Sequence, residues 1–206
     1  MTAMRVLIAT SNPGKLRDFA GAAGPYGVEV KPLPQLASLP APTEDQPTFE
    51  ANARKKAEHY SRLVPGELVL ADDSGLEVDA LGGAPGIYSA RYAAMERGHE
   101  ANSTDAENNA RLLRELAAIP DAPRRAQFIC WIAAARDGQS LATFRGAAEG
   151  FILFVARGTH GFGYDPLFYF PAIDRTFAEL LPEEKANYSH RGQAFRKFLE
   201  WTRGQR

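Results

Sequence analysis

The sequence predicts an α/β fold for a chain of 206 residues. Three observations predict it. Short apolar runs rich in β-formers alternate with stretches whose apolar residues recur at helical spacing. Glycine- and proline-rich segments separate them. Apolar residues make up 45% of the chain and charged residues 24%, enough for one domain over residues 1–206 with a sizeable core.

Each element follows from local chemistry. "RVLIA" (5–9) reads as a buried strand. "GKLRDFAGAA" (14–23) reads as a helix with Leu16, Phe19, Ala20 and Ala23 on one face. "VEVKPL" (28–33) is a second strand, and the proline-rich stretch from Pro32 to Pro47 is a loop. Between Thr48 and Leu63, Phe49, Ala53, Ala57 and Tyr60 mark a helix. "ELVLA" (67–71) is a strand expected to end at the adjacent Asp72 and Asp73, with Ser74-Gly75 turning the chain. "LGGAPGIYSARY" (81–92) is a loop, and Thr104 with Glu107 forms a capping box for a helix carrying Leu112, Leu113 and Leu116. Residues 125–150 read as a hairpin turning at Asp137-Gly138. "RGTHGFGYDPLF" (157–168) is a loop. Pro182 with two following glutamates starts one helix, and another begins near Ser189 and buries Ala194, Phe195, Phe198 and Leu199.

Composition also excludes. A net charge of −1 disfavours long nucleic acid as a partner. The single cysteine, Cys130, lies in an apolar run and reads as a buried thiol, so no internal disulfide is expected. The apolar run in "MTAMRVLIAT" is too short for a signal peptide, and no stretch approaches a membrane span, which makes the cytoplasm the expected compartment.

Four constellations suggest chemistry. "ATSNPGK" (9–15) places Thr10, Ser11, Asn12, Pro13, Gly14 and Lys15 between a strand and a helix start, where free N–H groups favour an anion; it is not the P-loop pattern. Asn52 and Lys56 share a helix face, downstream of Glu44 and Asp45, and each alone reads as solvated surface. Asp72 and Asp73 repel each other and call for a positive partner. Hard oxygen ligands suit Mg2+, which in turn suits phosphates, and no zinc spacing is present. "GFGYD" (161–165) and "SHR" (189–191) combine aromatics with fixed donors able to stack on and read a base. His190-Arg191 at a helix start opposes the macrodipole, a conflict an anionic or acceptor-rich ligand would remove.

Together these stretches resemble the inosine triphosphate pyrophosphatase family, also called XTP/dITP diphosphatases. "ATSNPGKLRDF", "TFEANARKKA", "ADDSGLEVDALGGAPGIYSARYA", "GFGYDPLF" and "EEKANYSHRGQAF" occur in the family's order from Arg5 to about Phe198. The resemblance implies a mixed central sheet flanked by helices, with two lobes around a substrate cleft, as a homodimer. It implies Mg2+-dependent hydrolysis of ITP, dITP and XTP to monophosphate and pyrophosphate. By the same resemblance, Thr10, Ser11, Asn12, Pro13, Gly14 and Lys15 hold phosphates, with Lys56 alongside. Glu44 and Asp73 bind metal, Asp73 accepts the proton of the attacking water, and Ser74 touches substrate. Phe162, Gly163, Tyr164, Asp165, Lys185, His190 and Arg191 form the nucleoside side, with Arg191 the candidate reader of purine position 2. Two departures from the family pattern are Asp45-Gln46, where Thr-Gly is common, and Tyr188, where an aliphatic residue is common. Which of Glu44 and Asp45 faces the metal stays open at this point. The alternatives are a pyrophosphatase for modified pyrimidine triphosphates and a nucleotide-binding regulator without turnover.

Overall fold

Pairing of the apolar runs builds one seven-stranded mixed sheet. The computed structural model describes residues 4–23, 26–99 and 101–204. The strands are β1 (Met4–Ile8), β2 (Val28–Pro32), β3 (Val69–Val78), β4 (Arg125–Arg136), β5 (Gln139–Ile152), β6 (Phe168–Phe170) and β7 (Arg175–Thr176). Their order is β2-β1-β3-β4-β5-β6-β7. β1 is parallel to β2 and β3, and the remaining pairs are antiparallel. The helices are α1 (Pro13–Ala23), α2 (Phe49–Ser61), α3 (Tyr92–Glu96), α4 (Asp105–Ala117), α5 (Pro182–Tyr188) and α6 (His190–Arg203). The β4–β5 hairpin turns at Asp137 and Gly138, both at positive φ (52° and 81°), as a primed turn requires. Thr104 and Glu107 form the capping box that opens α4, and Ser189 caps α6 through the Gly192 N–H. Among the described residues no helix is long and apolar enough to cross a membrane.

Side-chain alternation along β3 divides the core. Leu70 on one face packs with Ile132, Phe19 and Phe198 under α1 and α6. Val69 and Ala71 on the other pack with Ala53, Ala57 and Tyr60 of α2. Beyond them, Leu76 and Val78 join Leu112 and Leu116 of α4 with Phe168 and Phe177.

Three expectations are corrected. β3 does not end at Ala71; it runs through both aspartates to Val78, paired with β4 throughout. The driving force is that ladder, and Ser74-Gly75 does not turn. Asp72 and Asp73 therefore point to opposite faces, as a period of two demands. The buried face of α1 includes Asp18, and Ala20 is exposed, because that face receives an arginine from α6. Asn52 and Lys56 are buried rather than solvated. β6, β7 and α3, each five residues or fewer, are too short to carry a periodic signal in the sequence.

Candidate active site

The site lies where β1 stops. β1 reaches β3 only at Leu7–Val69 and Ile8–Leu70, so among the described residues no strand neighbours that edge of β3 past Leu70. A cleft of about 1190 Å³ opens there, large enough for a nucleotide. Both faces of β3 are reached from an open edge, which is how two oppositely pointing aspartates come to line one cleft. Of the sequence-predicted site residues, all but Pro13 and Gly14 line it. Gly14 is buried: a Cβ there would come within 2.4 Å of the Phe162 ring.

Asn12 caps α1, its Oδ1 accepting from the N–H groups of Gly14 (2.8 Å) and Lys15 (3.2 Å). Lys15 projects from the first turn to Asp72 Oδ2 at 2.9 Å. Asp72 also meets Arg191 at 3.3 Å. Burial favours the neutral acid, but Lys15, Arg191 and Lys56 outweigh it and hold Asp72 well below the usual carboxylate range. The positive partner demanded by this aspartate pair is thus supplied by the protein's own side chains.

On the α2 face, Lys56 Nζ lies 3.2 Å from both Asp73 Oδ1 and Glu44 Oε1. Burial alone would lower the lysine pKa; Asp73, Glu44 and Asp72 reverse that and raise it, so Lys56 is charged. Burial raises Asp73 above an ordinary carboxyl, against the pull of Lys56 and Lys15. Asp45 turns away to Lys55 (2.7 Å). Glu44 is therefore the acid that faces Asp73. Its loop is pinned by Asn52, which accepts from the Gln46 N–H (3.0 Å) and donates to the Gln46 carbonyl (3.3 Å). That role is legible in sequence only as a polar residue on the inner face of α2.

Glu44 and Asp73 fit a magnesium ion in part. Both acids reach the Lys56 ammonium at 3.2 Å, which sets their side chains near each other, and among the described residues nothing hydrogen-bonds the buried Asp73 Oδ2. Magnesium uses one or two protein carboxylates and keeps its other positions for water and phosphate. Among the described residues no group of three or more His, Cys, Asp or Glu is arranged around a metal position, so a closed protein cage is not the design.

At the other end, Phe162 lies with its ring centroid 4.7 Å from Lys185 Nζ and 5.6 Å from the Arg191 guanidinium. Lys185 pairs with Asp165 at 2.5 Å, and Asp165 accepts from the Phe162 N–H. Asp105 and Asn109 of α4 hold Gly163 by its N–H and its carbonyl, and the Tyr164 hydroxyl donates to the Ser89 carbonyl. His190 stacks on Phe128 (4.7 Å, 12°), with Nδ1 buried and without a hydrogen-bond partner among the described residues. Burial, with Arg191 and Lys185 adding, pushes its pKa well below normal, so the imidazole is neutral. A close approach brings it here: a Cβ at Gly146 of β5 would fall 2.0 Å from the His190 carbonyl.

Arg191 departs from the expected role. Its Nη1 donates to Asp18 at 2.7 Å, its Nη2 to Ser74 at 2.7 Å, and Nε and Nη2 to Asp72 at 3.3 Å. It is 1% exposed. The unfavourable charge at the start of α6 is answered by Asp18 and Asp72, not by a ligand. With its donors so engaged, the guanidinium is a tie between α6, α1 and β3 rather than a free reader of a base.

A family model, described as the Ham1 family, matches residues 6–201. The chain belongs to the Ham1 family. This Ham1 chain is 49% identical over 199 residues to a dITP/XTP pyrophosphatase of Acidobacterium capsulatum, covering 96% of this chain and 97% of the relative. It is 48% identical over 195 residues to the dITP/XTP pyrophosphatase of Geobacillus kaustophilus, covering 95% and 92%. Among solved structures, a HAM1 protein from Coxiella burnetii superposes with a TM-score of 0.82 at 38% identity, over 98% of this chain and 99% of that one. The Staphylococcus aureus Ham1 protein gives 0.80 at 39% identity, over 98% and 100%.

Proposed function

We propose that this Ham1 chain is a nucleoside-triphosphate diphosphatase acting on the non-standard purine nucleotides ITP, dITP and XTP. It converts each with water to the monophosphate and pyrophosphate. The observation that carries this is Asp73: a buried carboxyl with one free oxygen, beside Lys56, in a cleft whose two ends differ. One end offers Lys15 with Thr10 and Ser11 beside the start of α1; Asn12 already takes the first N–H groups of that helix, so the lysine charge and the hydroxyls, not free N–H groups, are what suit phosphates. The other offers Phe162, neutral His190 and backbone groups, suited to a purine.

Asp73 takes a proton from water as the oxygen attacks phosphorus, and pyrophosphate leaves with the bonding pair. A pKa raised by burial makes Asp73 a stronger base than an exposed carboxylate, while Lys56 keeps it ionisable. Lys15 and Lys56 meet the charge of the phosphates, and the Asn52-pinned loop holds Glu44 in place. Glu44 and Asp73 would hold a magnesium ion, which when bound supplies positive charge to the phosphate oxygens. A homodimer in the cytoplasm completes the proposal. Phe154 and Val155, 72% and 73% exposed side by side, support a partner surface, and a nucleotide substrate supports the compartment. The test is product analysis with dITP and Mg2+. Equimolar dIMP and pyrophosphate are expected, and stepwise release of orthophosphate would overturn the proposal.

A further inference from the structure

We infer that Arg91 is a further substrate-binding residue, donating to phosphate oxygens of the bound triphosphate; this rests on the function proposed above. Five Lys and Arg side chains line the cleft: Lys15, Lys56, Arg91, Lys185 and Arg191. Four are committed to carboxylates: Lys15 to Asp72 (2.9 Å), Lys56 to Asp73 and Glu44 (3.2 Å each), Lys185 to Asp165 (2.5 Å) and Arg191 to Asp18 (2.7 Å). Arg91 is the exception. Among the described residues no carboxylate pairs with it, and its one hydrogen bond is from Nη2 to the Glu44 carbonyl at 3.4 Å. That distance is long for an N–H···O bond. The guanidinium otherwise lies 5.2 Å from the Tyr88 ring centroid, a contact that leaves the edges of the fork free.

Its backbone is held firmly. Arg91 ends the 3-10 segment Gly86–Arg91, which packs on β3 where Gly75 has no Cβ; one there would fall 2.5 Å from the Gly86 carbonyl. Ser89 in that segment accepts from the Leu76 N–H and donates to the Gly86 carbonyl. A fixed base and a loosely engaged tip suit a side chain that takes up a ligand. Its reach to Glu44 puts that tip beside the acid that meets Lys56 with Asp73, at the phosphate end. Charge points the same way. Lys15 and Lys56 are already balanced by Asp72, Asp73 and Glu44, whereas a triphosphate brings roughly three to four negative charges. A planar guanidinium that no carboxylate pairs with among the described residues matches phosphate oxygens in geometry and charge.

The experiment is calorimetric binding of a non-hydrolysable dITP analogue, with deoxyinosine as the phosphate-free comparison, to the wild type, Arg91→Ala and Arg91→Lys. Each is measured with Mg2+ and again in excess chelator. Expected is an about ten- to hundred-fold weaker analogue affinity for Arg91→Ala, an intermediate value for Arg91→Lys, and unchanged deoxyinosine binding. The gap should persist in chelator. A gap seen only with Mg2+ would mean that Arg91 acts through Glu44, and would overturn the inference. So would a loss under two-fold, or equal losses for analogue and nucleoside. A wild type that binds the analogue no better than deoxyinosine would remove the proposed function itself, and this inference with it.

Discussion

Asp72 and Asp73 are adjacent in the chain and face opposite sides of β3, Asp72 2.9 Å from Lys15 and Asp73 3.2 Å from Lys56. The alternation of a strand turns one acidic pair into two sites with different chemistry. Asp72 is held ionised by Lys15 and Arg191, whereas Asp73 is raised by burial; among the described residues each keeps one oxygen, Asp72 Oδ1 and Asp73 Oδ2, without a hydrogen-bond partner.

The two substitutions should therefore differ in kind. Asp73→Asn is expected to lower kcat by about two to four orders of magnitude with the fold intact. Asp72→Asn is expected to destabilise the fold by about 3–5 kcal/mol, because Lys15 and buried Arg191 lose their shared partner. Steady-state kinetics and urea denaturation of both variants check this; a reversed pattern would exchange their roles.

Arg191→Ala tests the tie between α6, α1 and β3. The expected outcome is a loss of about 3 kcal/mol in stability, since the buried guanidinium is removed and Asp72 keeps only Lys15, and Asp18 only Lys185 at 3.7 Å. Activity on ITP, XTP and GTP should fall by a common factor. A selective gain on GTP relative to XTP would restore Arg191 as a reader of purine position 2.

His190 makes a pH prediction. Its folded pKa lies well below its unfolded value, so the unfolded chain binds a proton that the folded one does not. Stability should therefore fall as pH drops below about 6.5, by up to about 1.4 kcal/mol per unit for this group. In His190→Gln that share of the slope between pH 5 and 6.5 should vanish. Denaturation midpoints across that window decide; an unchanged slope would place the proton elsewhere.

Metal removal gives a further check. In excess chelator, turnover of dITP is expected to stop and to return on adding Mg2+. Glu44→Gln should need roughly tenfold more Mg2+ for half-maximal rate. Full activity after exhaustive chelation would remove the metal from the proposal.

Much of this was legible in the sequence where a local signal was strong. The Asp137-Gly138 turn, the Thr104 capping box and the helix start at Ser189 are each fixed by residues within three positions. The end of β3 was not legible. Ser74-Gly75 carries a turn signal locally, and only the distant β4 strand overrides it through the ladder. Asp18 was missed because its burial depends on Arg191, 173 residues away. Asn52 and Arg91 likewise gain meaning from a loop and a cleft assembled by tertiary contacts. The choice of Glu44 over Asp45 required knowing that Lys55 faces outward and Lys56 inward on α2.

The most direct test of the central claim is kcat/KM for dITP, XTP and ITP beside dATP, dGTP and dTTP with the same wild-type enzyme and Mg2+. The first three are expected to exceed the others by roughly 10²-fold or more, with pyrophosphate as the co-product. Comparable values across the panel, or a preference for dTTP, would contradict a cleft built to select non-standard purines.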